Sequence, residues 1–156
     1  MIKLIAALAA CATLGACATV TRGTSTNFDV NTNPTGAAVQ TTHGFSCPAT
    51  PCSMRMPRKS AFQAIITKRG YKTTTVSVGN RVTGGGGAAM AGNLLAGGFI
   101  GAGVDASNGA MLDLRPDPLL INLEPGEGAV TMNQDQAEQA SAQSGVTMPA
   151  ETRKKR

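Results

Sequence analysis

The chain has no tryptophan, one tyrosine (Tyr71) and four phenylalanines in 156 residues. So few aromatics leave no stacking platforms of the kind that single-strand grooves and RNA-reading sheets use, so nucleic acid is not an expected partner. The core must then be thin and built from small or branched aliphatic side chains. There is one histidine, His43, in "TTHGF". With no acid beside it in sequence, it reads as an exposed turn residue rather than a general base. No Asp or Glu occurs between Val30 and Val104. Beyond that gap, Asp105 precedes "ASNGA" and suits a helix cap, and Asp113 is expected in a loop facing Arg115, so neither reads as half of a catalytic carboxylate pair. No catalytic residue, metal site or cofactor is expected, and the chain reads as a non-enzyme.

What is present is basic charge. Lys and Arg number 14 against 9 Asp and Glu, giving a net charge of +5. Arg55, Arg58, Lys59, Lys68, Arg69, Lys72 and Arg81 fall near expected turns and strand ends. They read first as a solvated surface, and second as a patch for anionic envelope polymers or lipid headgroups. The length allows one folded domain plus tails.

The N-terminus supplies an address. "MIKLIAALAACATLGAC" has Lys3, an apolar run and small residues before a cysteine, the pattern of a secretory signal and too short for an ordinary membrane span. Leu14, Gly15, Ala16 and Cys17 resemble the lipobox of bacterial lipoproteins, which implies cleavage before Cys17 and acylation of its thiol. Leu8, Ala9, Ala10 and Cys11 also fit, but cleavage there leaves an apolar core below the roughly 7 residues a signal needs. Ala18 follows Cys17 where lipoproteins kept at the inner membrane often carry aspartate, so the resemblance implies the outer membrane, with the protein held on its periplasmic face by lipid. Two or more acyl chains suffice for stable anchoring without a protein span.

Of four cysteines, this leaves Cys47 and Cys52, in "SCPATPC". Their spacing differs from that of a thioredoxin-type redox pair, and His43 alone cannot complete a zinc site. An oxidising compartment favours a structural disulfide, with free thiols as the alternative.

From Thr24 onward the apolar period is two. Phe28 and Val30, Met54 and Met56, Phe62, Ala64 and Ile66, Val76 and Val78, and Leu119, Ile121 and Leu123 each fall on one face of a short strand. "KRGY" at 68–71 reads as the turn of a hairpin, with Gly70 free to take positive φ. Strands this short and regularly spaced predict a small β-sandwich. "NPTGAAV" (33–39), "TP" (Thr50, Pro51) and "KRGY" resemble the PEGA domain, a β-rich extracytoplasmic module, over about residues 24–80. Thr35 stands where that family has its glutamate, and the cysteine pair is an addition to its pattern. The resemblance implies a binding or scaffolding unit without shared catalytic residues, with Pro34, Gly36, Thr50, Pro51, Gly70 and Tyr71 in structural roles.

Residues 84–104 carry no charge, but nine of these 21 are glycine, so bilayer insertion would be marginal and no phosphate-loop ending follows. The stretch predicts a small-residue helix with Gly97 and Gly101 on a close-approach face, similar to glycine-zipper envelope proteins. Packing on the β module or the membrane face is expected first; self-association into a homo-oligomer, a span or an unstructured loop are the alternatives. After Glu124 the chain is polar, ends in Arg153, Lys154, Lys155 and Arg156, and reads as a disordered tail.

The expectation is therefore a mainly β protein: a small β-sandwich-like module with an inserted glycine-rich helix and a disordered C-terminal tail. Its divisions are a signal (1–16), a lipid-anchored linker (17–23), the PEGA-like module (24–82), the insertion (83–112), a closing strand (113–124) and the tail (125–156). Its expected function is non-catalytic binding or scaffolding of an envelope protein, peptidoglycan or an anionic glycan. The alternative is a glycine-zipper protein that self-associates or perturbs the membrane.

Overall fold

The computed structural model describes residues 23–82, 109 and 111–150. The signal, Cys17, the glycine-rich stretch with Gly97 and Gly101, Asp105 and the terminal basic cluster lie outside these residues.

The protein is mainly β. Nine strands and one helix follow in chain order among the described residues: β1 (Ser25–Asn33), β2 (Ala38–Thr41), β3 (Ser46–Cys47), β4 (Cys52–Pro57), β5 (Phe62–Thr67), β6 (Thr73–Val82), β7 (Leu112–Arg115), β8 (Leu119–Asn122), β9 (Ala129–Met132) and α1 (Gln134–Gln143). The strands form two sheets, one ordered β4-β1-β8 and the other β3-β2-β5-β6-β7, with β9 also pairing β6. The "KRGY" hairpin is present: β5 and β6 are antiparallel, with Ala64 opposite Val76, and Gly70 has φ +81°.

Alternation explains the core. Phe28 and Val30 from β1, Met54 and Met56 from β4, and Leu119 and Ile121 from β8 are buried together with Val39, Phe62, Ala64, Ile66, Val76 and Val78 of the other sheet. With no tryptophan to fill the space, the rings of Phe28 and Phe62 meet edge to face, 5.2 Å between centroids at 89°, the geometry that ring quadrupoles prefer.

Three expectations are corrected. The tail is ordered through residue 150: β9 runs parallel to β6, with Thr74 opposite Val130, and α1 follows. The helix forms without large apolar residues because it is well capped and rich in Gln and Ala. Asn133 Oδ1 accepts from Gln136 N, and Gln136 Oε1 accepts from Asn133 N, a reciprocal capping box. Ala137 is buried in the core and Ala140 packs against it. Second, the single closing strand over 113–124 is two strands, β7 and β8, in different sheets. Third, Asp113 is a strand residue whose carboxylate pairs with Arg58 rather than facing Arg115.

The chain divides into two compact units. The larger comprises Thr26–Met56, Ser60–Asn80 and Leu114–Arg156; the smaller comprises Met1–Ser25, Pro57–Lys59 and Arg81–Asp113.

Candidate functional site

The residues singled out in "NPTG" and "TP" meet at one point of the larger unit. Thr50 is 3 % exposed and uses all of its polar atoms there. Its backbone N–H donates to Ala37 O at 2.8 Å, and its carbonyl accepts from Gly36 N at 2.8 Å. Its hydroxyl accepts from Ala37 N at 3.1 Å and lies 2.6 Å from the Thr32 hydroxyl. Because Thr32 Oγ1 donates to Pro34 O at 2.8 Å, the proton shared between the hydroxyls comes from Thr50. Gly36 has φ +82°, a conformation glycine adopts without the steric penalty other residues meet. Pro51 is exposed and leads into β4.

The "KRGY" turn joins the same network at its edge. Lys68 Nζ donates to Thr35 O at 2.8 Å, and Tyr71 N donates to Lys68 O at 3.1 Å. Gly70 O accepts from Gly126 N at 3.0 Å, and Tyr71 forms a bridge with Pro125 while packing against the core. The structure thus bonds Gly36 to Thr50 directly, links Pro34 to Thr50 through Thr32, and joins the turn of Gly70 and Tyr71 to them through Lys68. The role of Lys68 was not foreseen; its only sequence signal was its place at the head of the turn.

Cys47 and Cys52 form a disulfide, with 6.5 Å between their Cα atoms. It joins β3, an outer strand of the larger sheet, to β4, an outer strand of the smaller one. The bridge therefore staples the two layers at one side, where Thr50 lies inside the loop that it closes.

Two surface depressions accompany this frame. One, of about 400 Å³, is lined by Thr42, Ala61, Phe62, Gln63, Ser77, Val78, Gly79 and Gln134 and contains no charged side chain. Gln134 reaches over Gly79 because glycine leaves that space open. The other, of about 310 Å³, lies where the Arg115–Pro116–Asp117–Pro118 segment meets Leu120 and α1 at Glu138, Ser141 and Ala142. Asp117 Oδ1 accepts from Asp29 N at 3.1 Å.

The helix side is a covered edge. Leu120 N donates to Ser141 Oγ at 3.1 Å, and Asn122 Nδ2 donates to Ser144 O at 3.0 Å. Asn31 Nδ2 donates to Thr147 O at 2.6 Å, so the segment after α1 reaches the central strand of the three-stranded sheet. An open strand edge is a template for unwanted pairing, and a covering helix blunts it.

His43 is exposed; its Nε2 donates to Ala61 O at 3.0 Å and its ring lies 6.2 Å from that of Phe62. Among the described residues no group of three or more His, Cys, Asp and Glu is placed to hold a metal, and no helix is long and apolar enough to cross a membrane. Comparisons with protein-family models, curated proteins and solved structures return no match to this chain.

Proposed function

We propose that the protein is a lipid-anchored, non-catalytic β module of the cell envelope, held at Cys17 on the periplasmic face of the outer membrane, that binds or scaffolds an envelope partner. The observation carrying this reading is the lipobox-like Leu14–Gly15–Ala16–Cys17 directly upstream of the module, together with the inter-sheet disulfide, a bond of oxidising compartments. The PEGA-like residues support it in a further way. Pro34, Gly36 and Thr50 spend polar groups on one another and on their neighbours Thr32 and Ala37, so their role is to hold the frame, and the partner surface is carried by the faces around it.

Fractionation tests the anchor. Wild type is expected in the membrane pellet, and Cys17→Ala or globomycin treatment is expected to release mature protein or leave an unprocessed precursor. A mature chain that stays with the membrane when lipidation is blocked contradicts the reading. The alternative, self-association through the glycine-rich stretch, is addressed by Gly97→Leu with Gly101→Leu, under which cross-linked oligomers should disappear if that reading holds.

A further inference from the structure

Every residue lining the uncharged groove belongs to the larger unit. Its floor is apolar: Ala61, Phe62 and Val78, the last two opposite one another across β5 and β6. Its rim is polar and carries no charge. Gln63 and Ser77 are the next opposed pair of the same ladder, so their side chains stand side by side on one face. β5 lies between β2 and β6, and both backbone groups of Gln63 are used: its N–H donates to Thr42 Oγ1 at 3.1 Å and its carbonyl accepts from Thr42 N at 3.0 Å. No strand edge is open here for an extended peptide to join, so recognition falls to side chains. The Gln63 amide and the Ser77 hydroxyl have no hydrogen-bond partner among the described residues. Gln134 donates from Nε2 to Glu138 Oε1 at 3.0 Å, which leaves its amide oxygen, the atom lying over Gly79, to accept.

The turn that contributes Thr42 also presents an exposed ring. Phe45 is 37 % exposed, yet its backbone is fixed: Thr41 N donates to Phe45 O at 2.8 Å, Phe45 N donates to Thr41 Oγ1 at 3.0 Å, and Gly44, at φ +80°, donates to Thr41 O at 3.0 Å. His43 fastens the same turn to Ala61 of the floor. Charge then decides the ligand class. A charged ligand would lose water here without meeting a counter-charge, which is costly, whereas free amide and hydroxyl groups around an apolar floor match a neutral ligand that is itself part amide, part hydroxyl and part apolar. The volume of about 400 Å³ falls within the roughly 300–1,000 Å³ of small-ligand sites. We propose that this groove binds an uncharged N-acetylated pyranose sugar. The acetamido methyl rests on Ala61, Phe62 and Val78, its N–H donates to Gln134 Oε1, and ring hydroxyls bond Gln63 and Ser77. A neighbouring sugar presents its C–H face to Phe45, whose ring face is the negative part of its quadrupole. The proposal deepens the binding reading and rests on the module being a binding unit, not on how it is anchored.

The test titrates the full mature chain, isotope-labelled and held in phospholipid nanodiscs, with chitotriose, the trisaccharide of N-acetylglucosamine, and follows the backbone amides by NMR. Saturable shifts are expected at Gln63, Ser77, Val78 and Gly79, while Leu120 and Ala142 at the second groove stay in place. Gln63→Ala and Ser77→Ala, each checked for an unchanged urea midpoint, should weaken binding about five-fold, the worth of one net hydrogen bond. Maltotriose, which lacks the acetamido group, should bind at least about ten-fold more weakly, having lost both a hydrogen bond and a buried methyl. Co-sedimentation with isolated peptidoglycan that chitotriose competes away assigns the sugar to the wall; chitotriose binding without co-sedimentation assigns it to a soluble glycan. Trigalacturonate binding as tightly as chitotriose overturns the ligand class. Shifts confined to another face overturn the site and leave the binding reading standing. No shift anywhere overturns the proposal, and whether the same chain still retains a partner from envelope extract then decides the binding reading separately.

Discussion

The hydroxyls of Thr32 and Thr50 lie 2.6 Å apart in the interior, 18 residues apart in sequence. They link the centre of one sheet to the loop that the disulfide closes. Thr50→Val keeps the shape, removes the proton donated to Thr32 and leaves the Ala37 N–H without its side-chain acceptor. A buried polar group that loses its partner costs about 1–3 kcal/mol. The urea midpoint should fall accordingly with an unchanged slope, and Thr32→Val combined with Thr50→Val should cost less than the sum of the two singles.

The disulfide closes a short loop with a sequence separation of 5. On the chain-entropy model such a loop contributes about 2 kcal/mol. Cys47→Ser with Cys52→Ser should lower the thermal midpoint by several degrees, and reductant should lower wild type to the same value. A wild-type midpoint insensitive to full reduction would contradict the staple.

The helix at the β8 edge makes a local prediction. Asn133→Ala removes half of the capping box and should cost α1 about 1 kcal/mol. Ser141→Ala removes the acceptor for Leu120 N–H. Both variants should speed hydrogen exchange of the Leu120 amide, while the amides paired between β5 and β6 keep their protection. Unchanged exchange at Leu120 would mean that the helix does not guard that edge.

Two ion pairs of the described residues differ in environment, and their variants should differ too. Lys72 and Glu124, at 2.8 Å, are 35 % and 58 % exposed, where such pairs contribute from nothing to about 1 kcal/mol. Glu124→Gln should therefore move the urea midpoint little, and added salt less still. Arg58 and Asp113 are 12 % and 25 % exposed, so Asp113→Ala, which leaves the guanidinium without its carboxylate, should cost more.

Much of the β framework was legible in the chain. Period-two alternation names the buried apolar residues of β1, β4, β5, β6 and β8, because alternate side chains of a strand share a face; in β1 the opposite face is buried too, at Asp29 and Asn31, which alternation does not foresee. Partner choice was not legible: the parallel pairing of β1 with β8, Val30 opposite Leu119, depends on closure of the sandwich rather than on either strand's pattern. The tail departs from the expectation because order there does not require large apolar residues. Asn133 and Gln136 carried a capping-box signal, and alanines at 137 and 140 were apolar enough to dock a short helix. At the candidate site the motif residues were visible, but Lys68 donating to Thr35 and Gln134 lying over Gly79 arise only when distant strands meet.

Acylation of Cys17 is what holds the proposed module on the membrane. Intact-mass and peptide mass spectrometry of the mature protein purified from membranes should find an N-terminal Cys17 bearing a diacylglyceryl group and an amide-linked acyl chain, with Cys47 and Cys52 oxidised to one another. A mature chain whose first residue lies elsewhere, or whose Cys17 carries a free thiol or a protein disulfide, would contradict it.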